Sequence, residues 1–195
     1  MKSPYFNKPK QEWLEITSKL VDNHPITNKL CDMCFKTWES ILNGKINSYL
    51  NLTIKDMTLS PQAVSILFHD ILPEYIERQL VGWKKGTEVN EKDVTNISNE
   101  QYSFEIKISS SKNSIFGNRS YGQITNNSKK SKDGYYLAIN IDKLSVDNPQ
   151  VKIIKFGWID HNDWISQKAS TGQQARLNKE VINLKFKTLY NYNNL

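Results

Sequence analysis

The chain has 195 residues, 38% hydrophobic and 24% charged, enough to bury a core without disulfides and too apolar for a disordered chain. No apolar stretch is long enough to span a membrane, and the N-terminal MKSPYFNKPKQEW lacks the apolar run of a secretory signal, so a cytoplasmic location is expected. The net charge of +6, from 26 basic and 20 acidic residues, favours a polyanionic partner, nucleic acid first.

In chain order, the first half reads as helical. Trp13, Ile16 and Leu20 mark one face of a first helix. Asn23-His24-Pro25 reads as a cap with proline at the first helical position. A second helix runs through Ile26, Leu30, Cys34, Trp38, Ile41 and Leu42 to a stop at Gly44. Ser60-Pro61 opens a third through Ala63, Ile66, Leu67 and Ile71, and Pro73 either kinks it or begins another through Tyr75, Ile76 and Leu80. Asp93 to Ser98 then reads as a short strand, and Ser98 to Glu100 as a turn. Tyr102, Phe104, Ile106 and Ile108 alternate with Ser103, Glu105, Lys107 and Ser109, the clearest strand of the chain. A polar stretch with a short helix near Ser120 to Thr125 follows. Tyr135 to Ile141, Val151 to Ile159, and the tail from Ile182 through Leu184, Phe186 and Tyr190 read as further strands. Helices followed by a mixed sheet predict a single α/β (α+β) domain, 1–195, with a helical region at 1–59 and a core at 60–195.

Other motifs read as structural. Cys31 and Cys34 lie three apart in a helical pattern, with no second pair to complete a zinc site. Asp160, His161 and Asp163 invite a ββα-metal or hydrolase reading that nothing else in the chain supports, and Asn162-Asp163 reads as a turn or cap. Lys129, Lys130 and Lys132 form a charge run suited to non-specific contact with DNA.

The chemistry concentrates on the best strand. Glu105 and Lys107 share its polar face. A three-residue turn at 98–100 pairs position 97 with 101 and sets Asp93 opposite Glu105. Two carboxylates so close repel unless a cation lies between them, and hard oxygen donors favour Mg²⁺ over zinc. Glu88 and Glu91 compete with Asp93 as the first acid. The plainer alternative is an exposed face with a cross-strand ion pair.

An acid followed on the next strand by Glu-x-Lys resembles the PD-(D/E)XK nuclease site. The run Ser103-Phe104-Glu105-Ile106-Lys107-Ile108-Ser109-Ser110-Ser111, with Asn113-Ser114-Ile115-Phe116-Gly117-Asn118-Arg119-Ser120-Tyr121-Gly122-Gln123, resembles the ScaI family of type II restriction endonucleases. Lys92 stands where the motif name has proline. The resemblance implies a restriction-endonuclease-like core, with a central mixed sheet flanked by helices, and Mg²⁺-dependent cleavage of double-stranded DNA leaving 5′-phosphates. It implies Asp93, Glu105 and the carbonyl of Ile106 as metal ligands and Lys107 as the residue that prepares the attacking water. Glu77 is a candidate extra ligand, or else a helix carboxylate beside Arg78. Candidate DNA contacts are Ser109, Ser110, Ser111, Lys112, Asn113, Asn118, Arg119 and Gln123, with Gln173, Gln174 and Arg176 as a second cluster. A palindromic target would require a homodimer, with the N-terminal helices as a candidate interface, and a cognate DNA methyltransferase acting on the same site without a stable complex. The alternatives are a structure-specific or repair nuclease of this fold, and a non-catalytic DNA-binding module.

Overall fold

The computed structural model describes residues 2–47, 49–57, 59–123, 131–168 and 172–194. Lys129, Lys130 and Thr125 lie outside them. Two helices open the chain, α1 (Lys10–Asp22) and α2 (Thr27–Asn43). A small hairpin of β1 (Lys45–Asn47) and β2 (Leu52–Thr53) leads to α3 (Pro61–Gln79). Then come β3 (Trp83–Lys85), β4 (Val94–Asn96), β5 (Phe104–Ser109), β6 (Phe116–Asn118), β7 (Gly134–Ile141) and β8 (Val151–Ile159). The chain finishes with β9 (Trp164–Ser166), β10 (Gln174–Leu177), α4 (Lys179–Leu184) and β11 (Phe186–Asn191).

Six strands form the central sheet, in the order β11-β8-β7-β5-β4-β3. Only β5 and β7 are parallel, so the sheet is mixed. All eight residues of β7 are buried, as a central strand covered on both faces requires. Tyr135, Leu137, Ile139 and Ile141 point to the face covered by α1, α2 and α3. There Val21, Leu30, Cys34, Ile41, Phe68, Leu72 and Ile76 join them in one core. The helices of 1–59 therefore share their core with the sheet. Cys34 packs in that core as a free thiol, and burial pushes its pKa up.

The opposite face is covered differently. There Tyr136, Ala138 and Ile159 pack against α4 and a second sheet of order β6-β10-β9. Gly117, Ala175, Leu177 and Trp164 belong to the inner side of this sheet. A side chain at Gly117 would come within 3.1 Å of the rings of Trp164 and Tyr121, so glycine permits the close approach. The three strands are only three or four residues long, too short for their alternation to be read from the sequence.

Several expectations are corrected. The tail is not one strand: Ile182 and Leu184 lie in α4, capped by the Asn178 side chain, and the strand begins at Phe186. Ile182 turns into the second core with Val181, a helical pairing that alternation mimics. Of the two readings of Pro73, a new helix is excluded: it sits inside the continuous α3 and leaves the His69 carbonyl without its helical donor. Pro25 is not a first helical residue, because α2 begins at Thr27. The link from β4 to β5 holds a 3-10 turn at Glu100–Tyr102 rather than a simple turn at 98–100. The polar stretch holds a 3-10 turn at Arg119–Gly122. His161–Asp163 is another, with Asp160 as its cap.

Two buried polar groups anchor the domain. Lys185 donates to Asp160 at 2.7 Å and to both Asp163 oxygens, at 2.9 and 2.7 Å, with its ammonium over the rings of Tyr5 and Trp13. His24, 3% exposed, lies among Tyr135, Phe156 and Tyr102 with Nε2 3.0 Å from the Tyr102 carbonyl. Burial lowers its pKa to about 4, so the ring is neutral at pH 7.

Lys185→Met leaves two half-buried carboxylates without their cation, and urea denaturation at pH 7 should show a loss of about 3–5 kcal/mol. His24 has a depressed folded pKa, so its contribution is complete above pH 6.5 and is lost as pH falls towards 4. Between pH 7.5 and 4.5 this amounts to about 2.5 kcal/mol, and His24→Gln should lose that much less stability than the parent on acidification across that range.

Candidate active site

The β4–β5 pairing sets the site. Val94 faces Phe104 in register, and both point into the helix-covered core. The next pair outward, Asp93 and Glu105, therefore shares the opposite face. The Asp93 carboxylate is held there by accepting the Ile106 N–H at 2.7 Å. Both acids and Lys107 line a cleft of about 940 Å³. The register expected from sequence is the one found, although the turn that produces it differs.

Glu105 is 2% exposed, not on an open face, because Tyr121 and Tyr136 cover it. A buried carboxylate needs opposite charge and hydrogen bonds. Lys107 Nζ lies 3.6 Å from Oε2, and Lys92 Nζ lies 3.7 Å from Oε1. The Tyr121 hydroxyl donates to Oε2 at 3.1 Å. Burial and the two acids push the Tyr121 phenol far above its ordinary range, so it remains a donor. Lys107 also donates to the Ile106 carbonyl at 3.0 Å and sits 4.7 Å from the centre of the Tyr121 ring.

Sequence reasoning missed three of these neighbours. Lys92 donates to the carbonyls of Ser131 and Asp133, at 2.7 and 3.1 Å, and so joins the edge of β4 to the approach to β7. Its only signal was the missing proline. Tyr121 was visible only as part of the family stretch. His69, from α3, brings Nδ1 to 3.6 Å from Asp93 Oδ2 and lines the cleft. Burial lowers its pKa while Asp93 opposes that shift.

The competing acids lie elsewhere. Glu91 pairs with Lys84 and accepts the N–H groups of Thr87 and Glu88, which hold its carboxyl at about 2. Glu77 is not a cleft residue; its carboxylate accepts the Lys85 N–H at 2.7 Å. That bond ties the end of the edge strand β3 to α3.

The candidate DNA contacts separate as well. Ser109, Ser110, Ser111, Asn118 and Gln174 line the cleft. Asn113 instead accepts from Lys155 at 2.6 Å, and Lys112 is exposed away from the cleft. Arg119 donates to the Gly172 carbonyl at 3.1 Å and so braces the second sheet. Gln123, Gln173 and Arg176 are exposed.

The donors gathered here are oxygens: two carboxylates on one sheet face, and a carbonyl beside them on the same strand. Such a set fits Mg²⁺. Among the described residues no cluster of three or more His, Cys, Asp or Glu side chains forms a metal site, so a hard ion would depend on the carbonyl and on groups from outside the chain. A mixed sheet that brings two acids and a lysine to one open cleft is the arrangement of restriction-endonuclease-like nucleases. Comparison with known proteins narrows the class. The family model "ScaI restriction endonuclease" matches residues 3–190. The type II restriction enzyme ScaI of Streptomyces caespitosus is 36% identical over 186 residues, covering 93% of this chain and 82% of that protein. No solved structure matches the chain. The chain belongs to the ScaI restriction endonuclease family.

Tyr121→Phe removes the donor to Glu105 but keeps the ring against Trp164, 4.9 Å away. DNA cleavage should fall about 10–100-fold with an unchanged melting temperature. Rates and melting curves of the purified variant check this.

Proposed function

We propose that this chain is a homodimeric restriction endonuclease that hydrolyses double-stranded DNA at a specific sequence, with Mg²⁺ held by Asp93, Glu105 and the Ile106 carbonyl. The observation that carries the reading is the Asp93–Glu105 pair facing one cleft beside Lys107, in a chain of this family. The net charge of +6 suits a polyanionic substrate.

The residues divide the chemistry among them. When bound there, a divalent ion supplies Lewis acidity to the scissile phosphate and acidifies a water. Asp93 is pre-oriented by the Ile106 N–H, so its carboxylate is in place before substrate arrives. The ammonium groups of Lys92 and Lys107 lie 3.7 and 3.6 Å from the Glu105 carboxylate and balance its charge. Lys107 orients the attacking water and balances the charge that grows on the phosphate. In-line attack leaves a 5′-phosphate and a 3′-hydroxyl. His69 Nδ1 lies 3.6 Å from Asp93 Oδ2, the same oxygen that accepts the Ile106 N–H.

Two-fold symmetry would let one copy read each half of a palindrome. The apolar sides of α1 and α2 are used in the chain's own core, so their outer sides are the surfaces left for a partner copy. A cell holding this activity needs a methyltransferase that protects the same site; the two enzymes meet the same DNA and need not bind each other. No helix among the described residues is long and apolar enough to cross a membrane, which suits an enzyme acting on DNA in the cytoplasm.

Incubation with a long unmethylated duplex should give discrete fragments with Mg²⁺ and none with EDTA. Asp93→Ala and Glu105→Ala should abolish cleavage, and Lys107→Ala should slow it by about 10²–10⁴-fold. A smear would indicate a nuclease without sequence preference. Binding without any cleavage would favour a DNA-binding module.

A further inference from the structure

The geometry points to the outer face of the β6–β10–β9 sheet as the element that reads base edges, with Arg176 as its guanine reader. The inference rests on the nuclease reading and deepens it by separating base contacts from scaffold contacts.

The register defines the face. Gln174 lies opposite Asn118, and Arg176 lies opposite Phe116 on one side and Ile165 on the other. Directly opposed residues point the same way, and residues two apart on a strand do so too. Gly117, Ala175 and Leu177 turn inward, where Ala175 and Leu177 are buried. The side chains of Asn118, Gln174 and Arg176 are left together on the outside, with Phe116 and Ile165 between and beside them.

Chemistry and position agree. Asn and Gln suit adenine, Arg suits guanine, and an accessible Phe or Ile suits the thymine methyl. Phe116, Asn118 and Gln174 also line the cleft that holds Asp93 and Glu105, so this face continues directly from the reactive end. Arg176 lies about 7 Å beyond Gln174 along its strand, a span of about two base-pair steps.

The arginines differ in what they are committed to. Arg78 pairs with Glu74 on α3. Arg119 gives its guanidinium to the Gly172 carbonyl. The Arg176 side chain makes no hydrogen bond or ion pair among the described residues. An Arg held open on a strand, beside amide side chains and apolar groups and without a carboxylate, has the chemistry of a reader. A reader loses selectivity when truncated; a phosphate contact loses affinity on every sequence.

The test begins with the target, obtained by sequencing the ends of fragments made by the parent enzyme. Without discrete fragments the underlying nuclease reading fails, and that outcome is separate from the ones below. Arg176→Ala is then compared with the parent for binding in Ca²⁺ to the target duplex, to duplexes changed at each base pair, and to an unrelated duplex. The variant should melt like the parent, since Arg176 is exposed. Its discrimination at one G·C pair and the symmetry mate should fall about 10–100-fold, with unrelated DNA bound within about two-fold of the parent. Asn118→Ala and Gln174→Ala should relax selectivity at neighbouring A·T pairs in the same way. Equal weakening on every duplex, with a salt dependence reduced by about one charge, would overturn the assignment and make Arg176 a phosphate contact. Unchanged selectivity in Arg176→Ala would overturn it too.

Discussion

A carboxylate taken out of water survives as an anion only where opposite charge surrounds it. Glu105 meets that condition on a sheet face, between Lys92 and Lys107 and under the Tyr121 hydroxyl. Much of the domain follows from this. The strand carrying Glu105 must be central enough to bury it. The strand beside it must bring Asp93 opposite. A second layer must cover the face without closing it. The small sheet and the 3-10 turn after β6 provide that layer: Tyr121 of the turn covers Glu105 and packs on Trp164 of β9, while Phe116, Asn118 and Gln174 line the open cleft.

The two faces of the central sheet therefore divide the work. Phe104, Ile106, Leu137 and Phe156 bind the helices in a dry core and hold the strands in register. Glu105 and Lys107, alternate residues of the same strand, point the other way. A one-residue slip of β4 against β5 would turn Val94 away from the core and Asp93 away from Glu105 together. Stability and chemistry are thus enforced by the same pairing. His69 adds a link from the helix layer, on the turn of α3 where Pro73 leaves a carbonyl without its usual donor.

Much of this was legible in the sequence because it is local. The strict alternation from Tyr102 to Ser109 identifies β5 and its polar face, and the short link back to Asp93 sets the opposing acid. The apolar run at Tyr135–Ile139 reads as a strand, although its burial on both faces became visible only in the fold. What escaped is non-local. β6, β9 and β10 pack through contacts across the chain, and three or four residues are too few for a period to stand out. Ile182 and Leu184 alternate with Phe186, but the chain turns at Lys185, whose ammonium is bound by Asp160 and Asp163 from a distant segment. His69 and Lys92 are ordinary residues in sequence and gain meaning only from the carboxylates they approach. Glu77 was legible only as an extra ligand or a helix carboxylate beside Arg78, and its backbone partner at Lys85 could not be foreseen.

The central claim is that Asp93, Glu105 and the Ile106 carbonyl together hold a divalent ion. A crystal of the protein with its target duplex and Mn²⁺, measured for anomalous scattering, tests it most directly. The expected result is a peak between these three donors and the scissile phosphate, absent in Glu105→Gln. An ion bound elsewhere in the cleft, with Asp93 and Glu105 still engaged only by the protein's own lysines and amides, would contradict it.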